Sequence, residues 1–163
     1  MRYKMLASLV VSAGLVVGIS GTAHANGPTS PTITYTVIDK TVSHDWNNLG
    51  DRIGGCTGAT GGKCTVASGT TATNTFGVSL GITVDELAEQ LSVSTARTVQ
   101  VSVSCTSPVL SAGEHWYAYA AGTLYTYKVQ RRSDVGGGIP RITTSGWETT
   151  FKASPSLIYC TNS

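Results

Sequence analysis

Four cysteines in a chain that opens as an export signal limit what this sequence can fold into. The first 25 residues begin with Arg2 and Lys4, run through an apolar stretch from Met5 to Ile19, and end on Ala23-His24-Ala25. A positive start, a hydrophobic centre and an A-x-A site make a secretory signal peptide, with Asn26 expected at the front of the released chain. The stretch is too short and too rich in small residues to favour a spanning helix. Export would place Cys56, Cys64, Cys105 and Cys160 in oxidising surroundings, where an even number of cysteines forms disulfides. Three pairings are possible. The expected one joins Cys56 to Cys64 around a glycine-rich segment, and Cys105 in a mid-chain strand to Cys160 in the last strand. Loop-closure entropy assigns these bridges about 2.5 and about 4 kcal/mol. Zinc is the competing use of four cysteines. No C-x2-C pair is present, and free thiolates are disfavoured outside the cell, so no metal site is expected.

Removing 25 residues from 163 leaves 138, the size of one domain. Residues 36–163 are read as that single β-rich domain, behind a mobile leader at 26–35. Of 11 Lys+Arg, Arg2 and Lys4 leave with the signal, so 9 remain against 9 Asp+Glu. A formal charge of zero provides no long-range field to attract nucleic acid or an anionic surface. Lys128, Arg131 and Arg132 form the only basic cluster and read as a solvated strand end. No later apolar run is long enough to cross a membrane. Few charges and many Thr, Ser, Gly and Val residues suit an all-β extracellular domain.

The leader NGPTSPTITY holds Pro28 and Pro31 ahead of Ile33 and Tyr35, and an extended segment of this kind can dock into a partner. Residues 33–38 alternate and predict a strand. Residues 39–69 are polar and glycine-rich and predict a long loop pinned by Cys56–Cys64. Residues 71–82 alternate Thr and Ser with apolar positions and predict a strand. Thr83 and Glu86 form a capping box ahead of Leu87 and Leu91, which predicts a helix over 84–91. Residues 96–105 predict a strand with Val99, Val101, Val103 and Cys105 on one face. Residues 115–131 predict a hairpin turning at Gly122-Thr123, with Tyr117, Tyr119, Thr126 and Lys128 on its outer face. Gly136-Gly137-Gly138 and Pro140 mark a loop, and 142–151 and 156–160 predict two final strands. The expected fold is therefore mainly β: an antiparallel β-sandwich or twisted sheet with one short helix and two disulfides.

Motifs for chemistry are sparse. Beyond the signal the chain has two histidines, His44 and His115, and no G-x-S-x-G elbow to place a nucleophile beside either. The segment GATGGKC at 58–64 lacks the first glycine and the Ser or Thr that a phosphate-binding loop requires. Asp85, Glu86 and Glu89 are explained by the helix N-terminus. No catalytic residue, cofactor or metal ligand is assigned, and the chain is read as not an enzyme. A contact patch remains, with Tyr117 and Tyr119 at its centre and Lys128 and Trp147 as neighbours, because tyrosine and tryptophan give large rigid contacts with a polar handle.

The segments TNTFGVSLGIT at 73–83, TVQVSVSCTSP at 98–108 and WYAYAAGTLYTYKVQRR at 116–132 resemble small exported β-rich proteins of actinomycete bacteria. Within that group the chain is similar to the adaptor subunit of umbrella toxin particles. The resemblance implies a non-catalytic component of an antibacterial complex, joining a lectin-like subunit to a large toxin chain, with the leader inserted into a partner cleft. The Ser/Thr-alternating strands also resemble aerolysin-type pore formers, which would imply a membrane-active toxin. A small hydrolase using His44 or His115, or a carbohydrate-binding module using the tyrosines, are the remaining alternatives.

Overall fold

The computed structural model describes residues 30–162. The expected signal and the start of the leader, Pro28 included, lie outside the described residues. Among the described residues nine strands and one helix follow in the order β1 (Thr32–Thr57), β2 (Thr65–Val66), β3 (Thr71–Thr73), β4 (Thr75–Phe76), α1 (Val84–Leu91), β5 (Thr98–Gln100), β6 (Cys105–Thr106), β7 (His115–Asp134), β8 (Arg141–Thr144) and β9 (Glu148–Asn162). The main sheet is antiparallel, ordered β1-β7-β9-β4, with β8 continuing beside β7 where β9 stops. The ladders β2-β6 and β3-β5 form two smaller sheets. Both expected disulfides are present, Cys56–Cys64 and Cys105–Cys160.

The long strands correct the expected loop and hairpin. Residues 39–57 belong to β1, and 115–134 form one uninterrupted strand instead of a hairpin. Strand β1 has 26 residues and pairs end to end with the 20 of β7. The six extra residues are taken up by register shifts at Ile38/Thr41, Ser43/Trp46, Asn48/Arg52 and Arg52/Gly54. Bulges of this kind admit the polar, glycine-bearing sequence that imitates a loop. The pairing also moves the leader boundary. Thr32 to Tyr35, expected to be mobile, pair with residues 131–134 of β7, so Ile33 and Tyr35 are part of the sheet.

At Gly122 β7 does not turn but pairs on both sides, with Trp46 of β1 and Ala153 of β9. A Cβ there would strike the Lys152 carbonyl oxygen and sit 2.9 Å from Ala153 Cα. The glycine serves close approach of two backbones, the other meaning of glycine inside a strand pattern. Elsewhere the strand signals were too long. Residues 71–82 contain only β3 and β4, and 96–105 contain only β5 and the first residue of β6. The predicted facing still holds: Val99, Val101 and Val103 all join one apolar cluster. At the C-terminus β8 ends at Thr144, and β9 carries a register shift between Ala153 and Ile158 opposite Ala120/Gly122.

Alternation along the straight β7 assigns its side chains to two faces. Ala120 and Leu124 face one cluster with Ala72, Val101, Phe151 and Ala153. The β3-β5 ladder and the following chain cover this face, held by Cys105–Cys160. Tyr125, Tyr127 and Val129 face the opposite side, where α1 contributes Leu87 and Leu91. The helix has the predicted limits and capping box, with Thr83 Oγ1 accepting from Glu86 N and Glu86 accepting from Thr83 N. From α1, Gln90 accepts from Val37 N and donates to Tyr35 O, occupying edge groups of β1 much as a neighbouring strand would. That contact blocks part of an otherwise open sheet edge.

Tyr127 is fully buried, and its hydroxyl donates to the Gly77 carbonyl while sharing a 2.8 Å hydrogen bond with Thr150 Oγ1. Burial pushes its pKa above the ordinary tyrosine value, a push the Thr150 bond opposes and the Glu148 charge reinforces. The folded state therefore holds the proton more tightly than the unfolded chain. Its stabilisation is complete below the unfolded pKa near 10 and is lost as pH rises through the higher folded value. Denaturant melts across the alkaline range should show wild type losing stability above about pH 10, with Tyr127→Phe following a flatter curve. Parallel curves would contradict this assignment.

Candidate contact surface

Helix α1 covers only half of its face of the sheet. The uncovered half lies at the start of β7 and carries the odd-numbered residues His115, Tyr117 and Tyr119. The β9 partner of Tyr119 is Tyr159, so this side chain joins the same face. The four rings form a continuous row. His115 stacks on Tyr117 at 5.7 Å, Tyr117 meets Tyr119 edge-on at 6.4 Å, and Tyr119 meets Tyr159 at 6.5 Å.

Strand β1 supports the row from the other side. Gly55 pairs with Tyr117, and a Cβ at Gly55 would lie 2.7 Å from the Tyr117 ring. The missing side chain lets the ring lie over the strand, a recognised way of covering a glycine within a sheet. Arg52, the partner of Tyr119, places its guanidinium carbon 4.9 Å above the Tyr117 ring. This is a favourable cation–π contact. Thr57 Oγ1 lies 3.0 Å from His115 Nδ1 and fixes that ring. An open groove of about 360 Å³ runs between them, lined by Arg52, Gly55, Thr57, His115 and Tyr117 among others. The nearest carboxylates in sequence are engaged elsewhere. Asp51 accepts from Thr73 N, and Glu114 accepts from Ser111 N and Asn162 Nδ2. Those bonds hold the Glu114 pKa below the usual carboxylate value, the Ser111 amide being the larger influence.

The structure brings Tyr117 and Tyr119 together and separates Lys128 from them. With no turn at Gly122, residue 128 falls on the opposite face of β7, nine residues beyond Tyr119 or roughly 30 Å along the strand. There Lys128 pairs with Asp39 at 2.9 Å and sits 4.4 Å over the Trp147 ring. Trp147, also expected beside the tyrosines, therefore lies with Lys128 and away from them. Pro31 is exposed just before β1, and Ile33 and Tyr35 lie in β1 at the far end from the row. Arg52, His115 and Tyr159 were not foreseen as members of the patch. Tyr159 follows from its alternation with Cys160. Arg52 could be placed only with the bulged register of β1 in hand.

No protein-family model, curated protein or solved structure matches this chain.

Proposed function

We propose that this protein works outside the cell as a non-catalytic binding component, and that the half-face bearing His115, Tyr117, Tyr119 and Tyr159 is its contact surface for another secreted protein. One observation carries the reading: a continuous aromatic row remains open on a sheet face whose other half is covered by α1. Tyrosines lose little conformational freedom when they bind, bury large areas and keep a hydroxyl for hydrogen bonding, which is why they dominate protein contact surfaces. Arg52 on the Tyr117 ring adds a cation at the centre of the patch. Two rigidly connected ends of one long strand suit an adaptor that joins other members of an extracellular antibacterial complex, such as a large toxin chain and a lectin-like subunit. In this version of the role the partner meets a preformed sheet face, and the leader is not required.

Affinity capture from the native culture medium tests the proposal. The intact protein should retain a defined partner. The triple variant Tyr117→Ser, Tyr119→Ser, Tyr159→Ser should bind it at least about a hundredfold more weakly, since contact-centre tyrosines each contribute on the order of 1–2 kcal/mol or more. Trp147→Ala, on the other face, should bind normally. Equal retention by the triple variant would remove the surface from consideration, and recovery of the intact protein only as a lone monomer would count against the role.

A further inference from the structure

The opposite end of β7 carries a second exposed feature that the contact surface does not use. The β7–β8 connection reads Val135-Gly136-Gly137-Gly138-Ile139-Pro140, six consecutive residues without a polar side chain. The turn is closed by a hydrogen bond from Gly138 N to Val135 O, and Gly137 takes a positive φ of 81°. Among the described residues its apolar side chains have no cover. Ile139 is 94% exposed, and Val135 and Ile142 are each more than half exposed. Single exposed aliphatic residues are ordinary on a protein surface, but a group of them on a bare-glycine tip marks a site of interaction.

The charges behind the tip select the kind of surface. Arg131, Arg132 and Arg141 stand on the paired strands β7 and β8, against one carboxylate, Asp134, which Arg132 holds at 2.9 Å. Arg141 is two residues from Ile139, and Arg132 is three from Val135. At about 3.3 Å per residue Arg141 and Arg132 sit roughly 7–10 Å behind the apolar tip, with Arg131 about 3 Å further back. That offset matches the depth, roughly 5–10 Å, to which interfacial segments sink their apolar groups below lipid headgroups. The tip is also too small for a stable protein interface, which needs about 800 Å² from each partner. A fluid lipid surface has no such requirement, because it closes around whatever enters it.

We propose that the Val135–Ile142 hairpin tip is a membrane-contact site. Ile139 and Val135 enter the interfacial region of a bilayer carrying anionic lipids, while Arg131, Arg132 and Arg141 meet headgroup phosphates; Ile142, the strand partner of Arg132, stays at their level. The contact anchors the molecule by one end and leaves the tyrosine row, at the other end of the strand, facing away from the membrane. This inference rests on the tip alone and stands independently of the binding role proposed above.

Co-sedimentation with phosphatidylcholine–phosphatidylglycerol vesicles, compared with pure phosphatidylcholine vesicles, tests it. The wild-type protein should sediment with the mixed vesicles and far less with the pure ones. Ile139→Asp should lower partitioning to the mixed vesicles at least tenfold. Its circular dichroism should not change, since the side chain it replaces makes almost no protein contact. The double variant Arg131→Gln, Arg141→Gln should lose the preference for phosphatidylglycerol. Wild-type protein remaining in solution with the mixed vesicles would overturn the site. So would Ile139→Asp sedimenting as well as wild type, because binding would then be surface adhesion by charge alone.

Discussion

Replacing Gly122 with valine should lower the melting temperature on the order of 10 °C, while Gly146→Ala should leave it nearly unchanged. The two glycines look alike in sequence and differ in surroundings. At position 122 an added Cβ would collide with the Lys152 carbonyl oxygen and lie 2.9 Å from Ala153 Cα and 3.0 Å from the Lys152 carbonyl carbon. All three atoms are backbone, so no side chain can swing aside. Relief requires that β9 move away from β7 just where the ladder shifts register between Ala120 and Gly122. Overpacking of a well-packed site costs about 1–3 kcal/mol and more where the neighbours cannot relax, and 3 kcal/mol corresponds to roughly 10 °C in a domain of this size. At Gly146 nothing lies within 4 Å of the added Cβ, and φ is not in the left-handed region. Thermal melts followed by circular dichroism decide. Equal melting of Gly122→Val and wild type would mean that the two backbones are not in contact.

Loss of the Cys105–Cys160 bridge should have an effect of similar or larger size. The bridge closes a sequence separation of 55 residues and the Cys56–Cys64 bridge one of 8. Loop-closure entropy then assigns about 4 kcal/mol to the first and about 2.5 kcal/mol to the second. Domains are stable by roughly 5–15 kcal/mol in total, so the longer bridge supplies a large share. It also has a structural task. The segment around β5 and β6 buries Val101 against Ala120 and Phe151 with very short strands, β5 having three residues and β6 two. The tie to Cys160 holds that cover onto the sheet. Denaturant unfolding of Cys105→Ser, Cys160→Ser should therefore show a much lower midpoint than Cys56→Ser, Cys64→Ser. The first variant should also bind a hydrophobic dye under native conditions. Indistinguishable midpoints would refute the ordering.

Local chemistry made several parts of this fold legible in the sequence. The α1 capping box needs only Thr83 and Glu86 at the right spacing, and it was correctly placed. Of three possible cysteine pairings the expected one, a short bridge around a glycine-rich segment and a tie from a mid-chain strand to the last, is the one present. The β1 and β7 pairing was not legible, because bulges hide the two-residue period that identifies a strand. His44 and Asp45 fall between the Ser43 and Trp46 register points, and Leu49 to Asp51 within another shift, so polar and apolar residues lose their alternation there. Gly122 was ambiguous for a different reason. A glycine at a tight turn and a glycine under a crossing backbone look the same until the neighbouring strand is known. The candidate surface inherited both difficulties. Tyr117 and Tyr119 were recognised from their own alternation, whereas Arg52 and Gly55 depended on β1, and the position of Lys128 depended on whether the chain turned.

Because β1, β8 and β9 all take their main hydrogen bonds from β7, assembly has a built-in waiting period. A chain emerging from its N-terminus makes the 26 residues of β1 first and has nothing to lay them against until residues 115–134 arrive. Topologies dominated by such distant pairings fold in milliseconds to seconds, not microseconds. During that interval a long strand with both edges unmet is the species most exposed to association with other chains. Conditions that slow synthesis or delivery of the central strand should therefore lower the yield of soluble protein before they affect the stability of molecules already folded.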